Sequence, residues 1–197
     1  MLKSMAPSSA TRTGVWVGIG AITMSFAAYT SAMVVRQGSY PEWPHFTLPP
    51  LLYWNTLVLA VSSGTLELAR RRIGGPFDRL GRADALSDSE LRERLLWLRV
   101  TLALGVVFLA GQYLAWRSLA VQGVLLATSP SSSFFYVLTA VHAIHLLGGL
   151  GALLYALRCF RVDDGPRPID VLSAVALYWH FMAVLWVYLL VVLALWV

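Results

Sequence analysis

The sequence predicts an all-α protein, a polytopic membrane bundle of five transmembrane helices, and three observations support this class. Hydrophobic residues make up 58% of the 197 residues and charged residues only 13%, whereas soluble domains are about 25% charged. The mean hydropathy is +0.68. The apolar residues fall into five runs of about 20 residues, the length that crosses the hydrocarbon core of a bilayer as a helix.

The five predicted spans follow one another with short connections. Residues 1–13 are small, polar and basic, and we expect them to form a flexible N-terminal tail. Residues 14–197 then form a single transmembrane domain. An Arg-rich loop precedes the third span, and Ser87 to Glu90 at its end fits a capping box that would start a helix near Asp88. The spans are predicted at residues 14–35, 51–69, 96–116, 134–157 and 171–196, and the Arg-rich loop at 70–95.

The basic residues predict the orientation of the bundle. If the N-terminus is cytoplasmic, all but Arg36 and Arg117 of the 15 Lys and Arg residues lie on the cytoplasmic side. Cytoplasmic loops of membrane proteins are enriched in these residues, so we expect a cytoplasmic N-terminus, a cytoplasmic Arg-rich loop and a C-terminus outside. The net charge of +5 is therefore interpreted as a topological signal, and not as a sign of nucleic-acid binding.

Histidines inside the spans are the residues with the most chemical potential. His142 and His145 lie three residues apart in the fourth span, and His180 lies in the fifth. Residues three apart share one face of a helix, and an imidazole facing lipid would lose its hydration. We therefore expect the three histidines inside the bundle, where hydrogen bonds from their imidazoles would join the last two helices.

Two chemical alternatives involve the same histidines. A histidine from each of the last two helices would suit a b-type haem, with Gly148 and Gly149 leaving space for the porphyrin. A metal ion would want a third or fourth ligand, which no carboxylate or cysteine nearby supplies. The glycines equally suit close contacts between membrane helices. The single Cys159 excludes a disulfide within the chain.

The second span is less apolar than the others, and its polar residues suit helix contacts. Small and hydrogen-bonding residues of this kind line helix interfaces in membranes. Glu67 precedes Arg70 and Arg71 by three and four residues, the spacing of a helical ion pair. An interfacial ion pair is the simpler interpretation of Glu67, and a proton-handling carboxylate is the alternative. The contact residues are predicted to be Asn55, Thr56, Ser62, Ser63, Gly64 and Thr65.

Two motifs in the last two spans resemble subunit III of the haem-copper oxidases, the cytochrome c oxidase family. The first is FYVLTAVHAIHLLGG at residues 135–149, and the second is YWHFMAVLW at residues 178–186. Shorter similarities lie at residues 48–56 and 111–116, so the resemblance runs from about residue 14 to the C-terminus. The motif residues carried over as structural are His142, His145, Gly148, Gly149, Tyr178, Trp179, His180 and Trp186.

The resemblance implies a non-catalytic subunit that binds no cofactor of its own. Haem and copper would reside in the partner catalytic subunit I, which the chain would stabilise during turnover. The family also holds lipids and influences proton uptake in aerobic respiratory electron transport, here in the cytoplasmic membrane of a prokaryote. Because Arg70, Arg71 and Arg99 cluster at one membrane face, we expect them to bind anionic lipid.

The sequence departs from the family at positions that bear on proton handling. The family's last motif carries an aspartate where this chain has Ala183, and the stretch at residues 24–29 lacks the carboxylate found in many members. Glu67 is then the only carboxylate within a predicted span. Two further functional alternatives stay open, an accessory subunit of nitric oxide reductase in the same family and a small b-type cytochrome with histidine ligands.

Overall fold

The computed structural model describes residues 7–73, 88–160 and 168–196, and every element in these ranges is an α-helix. The fold class predicted from the sequence is thus confirmed as an all-helical bundle. The helices, in chain order, are α1 (Pro7–Gly38), α2 (Leu51–Ile73), α3 (Asp88–Val121), α4 (Pro130–Cys159) and α5 (Pro168–Trp196).

Four of the helices are long and apolar enough to cross a membrane. Their candidate spans are Thr13–Gly38, Leu95–Val121, Pro130–Cys159 and Asp170–Trp196. Helix α2 has 23 residues but is not among the four, since the polar residues of its second half lower its hydropathy. These helices suit a membrane bundle. A second span at residues 51–69 and the orientation of the termini remain predictions.

Helices α2 to α5 pack into one core, and α1 lies at its edge. Helix α2 packs against α3 and α5, and α4 packs against α3 and α5. Helix α1 touches only α4 and α5 closely, and its buried side chains are Ile19, Phe26 and Met33. Their spacing of seven residues keeps them on one side of the helix. The other side chains of residues 13–38 are largely exposed.

Local signals explain where the helices begin and end. Helix α4 begins at Pro130, four residues before the predicted span, because Ser129 caps it. The Ser129 hydroxyl accepts a hydrogen bond from the Ser132 amide, and the Ser132 hydroxyl accepts one from the Ser129 amide, which is a capping box. The predicted loop before this helix is therefore shorter than expected, since α3 continues to Val121.

At the N-terminus, helix α1 begins at Pro7, so residues 7–13 are helical where the sequence suggested a flexible tail. Residues 1–6 lie outside the described residues. Helix α3 begins at Asp88 as predicted, whereas the capping residue Ser87 and most of the Arg-rich loop also lie outside the described residues.

The connection between α1 and α2 is hydrogen-bonded to the C-terminal end of α5. The indole nitrogen of Trp43 donates a hydrogen bond of 2.7 Å to the carbonyl oxygen of Trp196, and Phe46 stacks edge-on against Phe135 at 5.7 Å. These two contacts hold the connection against α4 and α5.

Candidate functional site

His142 of α4 is completely buried, and aromatic rings surround it. Its imidazole centroid lies 6.0 Å from the ring of Phe108 on α3 and 5.1 Å from that of Trp186 on α5. Neither imidazole nitrogen has a hydrogen-bond partner among the described residues. His142 therefore lies inside the bundle as predicted, but it fills space between rings, and its imidazole does not bond α5.

Two other polar side chains are buried without a hydrogen-bond partner among the described residues. They are the amide of Gln112 on α3 and the indole nitrogen of Trp179 on α5. Gln112 lies one turn after Phe108, the residue that faces His142, and Trp116 one turn further donates to the hydroxyl of Thr139. Gln112 thus lies along the interface between α3 and α4. The sequence marked it only as part of the family-like segment at residues 111–116, since a single glutamine in an apolar run carries no spacing signal.

We expect His142→Leu to cost little stability, because an apolar side chain of similar volume can fill the space between Phe108 and Trp186. The cost should be under about 1.5 kcal/mol, the range for shape-conserving core substitutions. His142→Ala leaves a cavity and should cost about 2–5 kcal/mol. Unfolding of the purified protein by SDS titration measures both. An equal, large loss in the two variants would show that the imidazole nitrogens hold a bond that packing does not replace.

His145, on the next turn of α4, is partly buried and contacts α1. Its Nδ1 lies 2.7 Å from the carbonyl oxygen of Val141 one turn earlier, so this nitrogen carries the proton that is donated. The ring lies 6.0 Å from Phe26 of α1. The link from α4 to α5 at this level comes from Tyr178, whose hydroxyl donates at 2.9 Å to the carbonyl oxygen of His145.

His180 of α5 faces α2. Its Nδ1 shares a short hydrogen bond with the hydroxyl of Ser63, and its Nε2 lies 3.6 Å from Oε2 of Glu67. Ser63 and Glu67 are four residues apart and therefore on one face of α2. The prediction that the three imidazoles join α4 to α5 is wrong: His142 packs on rings, His145 bonds its own helix, and His180 joins α5 to α2.

Glu67 forms the ion pair that the sequence suggested. Its carboxylate accepts two hydrogen bonds of 2.8 Å from Arg70 and one of 2.7 Å from Arg71. The Glu67 side chain is 23% exposed, while those of Arg70 and Arg71 are 43% and 74% exposed. The arginines thus retain donors that face outward, and the role of Glu67 in proton handling stays a prediction.

Arg99 of α3 lies near the same end of the bundle. The hydroxyls of Thr65 and Thr101 are 2.9 Å apart, and Ser62 donates to the carbonyl oxygen of Thr101 at 3.2 Å. These bonds set the register of α2 against α3. Arg99, exposed and two residues before Thr101, therefore lies toward the end of the bundle that carries Arg70.

The polar residues of α2 make the helix contacts predicted for them. Asn55 donates at 2.8 Å to the carbonyl oxygen of Phe108, and Thr56 accepts a bond of 2.9 Å from the indole nitrogen of Trp186. With Ser62, Ser63 and Thr65, they connect α2 to both α3 and α5. Gly64 is the exception, because open space surrounds the position that its side chain would occupy.

Gly149 and Gly148 differ in what they contact. A Cβ on Gly149 would lie 3.1 Å from Tyr178 and 3.2 Å from Trp179, so this glycine permits the approach of α5. A Cβ on Gly148 would meet nothing within 4 Å. A closer contact lies at Gly105 of α3, which the sequence analysis did not single out. A Cβ on Gly105 would lie 2.8 Å from the indole ring of Trp179.

The directions of the histidine side chains argue against a haem held by two histidines. A haem held by two histidines needs imidazoles from different helices that face each other across the ring. His180 faces Ser63 and Glu67 on α2, so it forms no such pair with His142 or His145. Within the described ranges, no three His, Cys, Asp or Glu side chains gather as a metal site would need.

The fold and these contacts define a helical protein of membrane type in which histidines, glycines and hydroxyls serve contacts between helices. A family model described as cytochrome c oxidase subunit III matches residues 82–197, a range that includes both histidine motifs. This chain belongs to the cytochrome c oxidase subunit III family.

Individual relatives agree with this assignment. A probable cytochrome c oxidase subunit 3 of Mycobacterium leprae is 30% identical over 169 residues, covering 85% of this chain and 77% of the relative. The corresponding protein of Nocardia farcinica is 29% identical over 163 residues, covering 82% and 74%. Cytochrome c oxidase subunit 3 of Synechocystis is 28% identical over 184 residues, covering 90% and 72%.

Proposed function

We propose that the chain is the non-catalytic subunit III of a haem-copper terminal oxidase, a cytochrome c oxidase of aerobic respiration. The observation that carries this proposal is the family match across α3, α4 and α5. The contacts of the described histidines support it, because they serve packing and hydrogen bonds within the bundle, as a non-catalytic subunit would use them. The partner of this chain is the catalytic subunit I, which would carry haem and copper, and the role of this chain is to stabilise it during turnover.

The proposed topology has five spans, with the N-terminus in the cytoplasm and the C-terminus outside. Helix α2 would be a span in addition to the four candidate spans, because it packs between α3 and α5 and its 23 residues reach about 35 Å at 1.5 Å per residue. Its polar side chains bond neighbouring helices and so need not face lipid. The bacterial relatives support a place in the cytoplasmic membrane of a prokaryote.

The experiment that tests the proposed function is the purification of the oxidase with the variant His145→Leu. This imidazole contacts α1 and its own helix, so its loss should loosen the bundle and shorten the active lifetime of the complex. Haem content per catalytic subunit should stay unchanged. The matched control is Ile144→Leu on the neighbouring exposed position. A fall in haem content with His145→Leu alone would refute a purely structural role.

We further propose that Arg70, Arg71 and Arg99 bind anionic lipid at the cytoplasmic face, with Glu67 limiting the charge that they offer. Neutralising all three arginines should reduce retained phosphatidylglycerol, at about 1 kcal/mol per basic side chain near a membrane surface. Glu67→Gln should increase it, because Arg70 and Arg71 would lose their carboxylate. Native mass spectrometry measures the retained lipid. Unchanged lipid in the triple variant would count against the site.

Proton handling by Glu67 is the remaining part of the proposal. Its carboxylate lies beside the imidazole of His180, with Oε2 of Glu67 3.6 Å from Nε2 of His180. The side chains of Glu67 and His180 are 23% and 36% exposed, so the pair stays accessible from one side. We propose that this pair influences proton uptake by the complex.

A further inference from the structure

Two buried polar side chains lie at the same level of the interface between α3 and α4. Gln112 of α3 is 2% exposed, and His142 of α4 is fully buried. Contacts on either side of Gln112 fix the register of these helices. Phe108 lies one turn before it and faces His142, while Trp116 lies one turn after it and donates to the hydroxyl of Thr139. The two helices thus run antiparallel, and Gln112 lies opposite the turn of α4 between Thr139 and His142.

The polar atoms of these two side chains have no hydrogen-bond partner among the described residues. They are the amide nitrogen and oxygen of Gln112 and both ring nitrogens of His142. The surrounding backbone is helical, so its N–H and C=O groups already bond each other. Each of the four atoms has lost its hydration, which costs free energy unless another hydrogen bond replaces it. Packing alone therefore does not account for this part of the interface.

The unpaired indole nitrogen of Trp179 lies too far along the bundle to belong with them. The ring of Trp179 on α5 packs at Gly105 of α3 and Gly149 of α4. Gly105 precedes Gln112 by seven residues, which is about 10 Å along the helix at 1.5 Å per residue. Gly149 follows His142 by the same number of residues. The site is thus confined to the side chains of Gln112 and His142, and we call it the Gln112–His142 site.

Water is the ligand that matches the four atoms of the Gln112–His142 site. The Gln112 amide has two N–H donors and an oxygen acceptor, and a neutral imidazole has one donor and one acceptor. A water molecule both donates and accepts, so it can join the two side chains in either imidazole tautomer. A metal ion would want three or four ligands, and no three His, Cys, Asp or Glu side chains gather within the described ranges. An apolar guest would leave all four atoms unpaired.

We propose that a buried water molecule bridges the Gln112 amide and the His142 imidazole and so links α3 to α4 inside the bundle. Buried waters in proteins make about three hydrogen bonds, typically to polar groups that would otherwise be unpaired. A bond through water is nearly as favourable in enthalpy as a direct one. The rings of Phe108 and Trp186 then orient the imidazole, and the water bonds its nitrogen. His142→Leu still costs little stability, because the amide alone can both donate to the water and accept from it.

The first test is the SDS unfolding of variants of the full chain, purified in its complex in mild detergent. Gln112→Met keeps the length of the side chain and removes both polar atoms. We expect it to lower the SDS concentration at the unfolding midpoint, because the water is lost and His142 stays unpaired. Adding His142→Leu to Gln112→Met should cause no further decrease, since no polar atom is then left unpaired. The matched control is Gln122→Met, an exposed glutamine just after α3, which should leave the midpoint unchanged.

The second test is a density map of the unaltered complex at a resolution that shows ordered water. We expect a separate peak about 2.7–3.2 Å from both the Gln112 amide and a ring nitrogen of His142. Three results would overturn the proposal. An unchanged or higher midpoint in Gln112→Met would show that the amide holds no bond in the native bundle. A direct hydrogen bond between the two side chains in the map, or no density between them, would leave no place for the water.

Discussion

Trp179→Ala is expected to destabilise the bundle by about 3–5 kcal/mol, the range for removing a large aromatic side chain from a core. Trp179 is fully buried, and its ring lies against the two glycine positions of α3 and α4 where no side chain intervenes, Gly105 and Gly149. Neither glycine has a side chain that could fill the space that the indole leaves. SDS-induced unfolding of the purified protein measures the loss.

The matched control for this change is Trp54→Ala. Trp54 is 68% exposed on α2, so its removal leaves no cavity in the core. We expect a loss of no more than about 0.5 kcal/mol there, the usual effect of a surface substitution. A comparable loss at the two tryptophans would mean that Trp179 is not the packing centre of α3, α4 and α5.

Gly111→Ala should separate α2 from α3 and cost about 1–3 kcal/mol, the price of a buried group left without its partner. A Cβ on Gly111 would overlap the side-chain amide of Asn55, which donates at 2.8 Å to the carbonyl oxygen of Phe108. If the amide moves away, both groups lose their bond. Thermal denaturation of the complex measures the loss of stability. Co-purification of the catalytic subunit shows whether the complex still forms.

Gly64→Ala provides the contrast, because alanine is a better helix former than glycine by about 1 kcal/mol and nothing surrounds Gly64. The stability of this variant should stay the same or increase. The interface between α2 and α3 would need another explanation if Gly64→Ala lowered stability as much as Gly111→Ala does.

Composition and apolar run length were sufficient to predict the helices. Each of the five predicted runs lies within a helix of the structure, because a run of about 20 apolar residues has few alternatives to a helix. Helix ends were less predictable. The start of α4 depends on the hydroxyls of Ser129 and Ser132, and their reciprocal bonds were hidden in a serine-rich segment that reads equally well as a loop.

Interactions between residues close together in the sequence were also predictable, whereas interactions between residues on different helices were not. The ion pair of Glu67 with Arg70 and Arg71 follows from helical spacing alone. The partners of the histidines depend on how α2, α4 and α5 are rotated about their axes. That rotation places His180 against Ser63, a contact between residues 117 positions apart. Spacing within one helix contains no information about it.

We propose that this chain holds no redox centre of its own and acts through a haem-copper partner. The most direct test is the visible absorption spectrum and pyridine haemochrome assay of the chain purified alone in mild detergent, with a gentler preparation analysed for co-purifying subunits. We predict a colourless chain alone and a haem-copper subunit in the gentler preparation. A Soret band at near-unit haem stoichiometry in the isolated chain would contradict the claim.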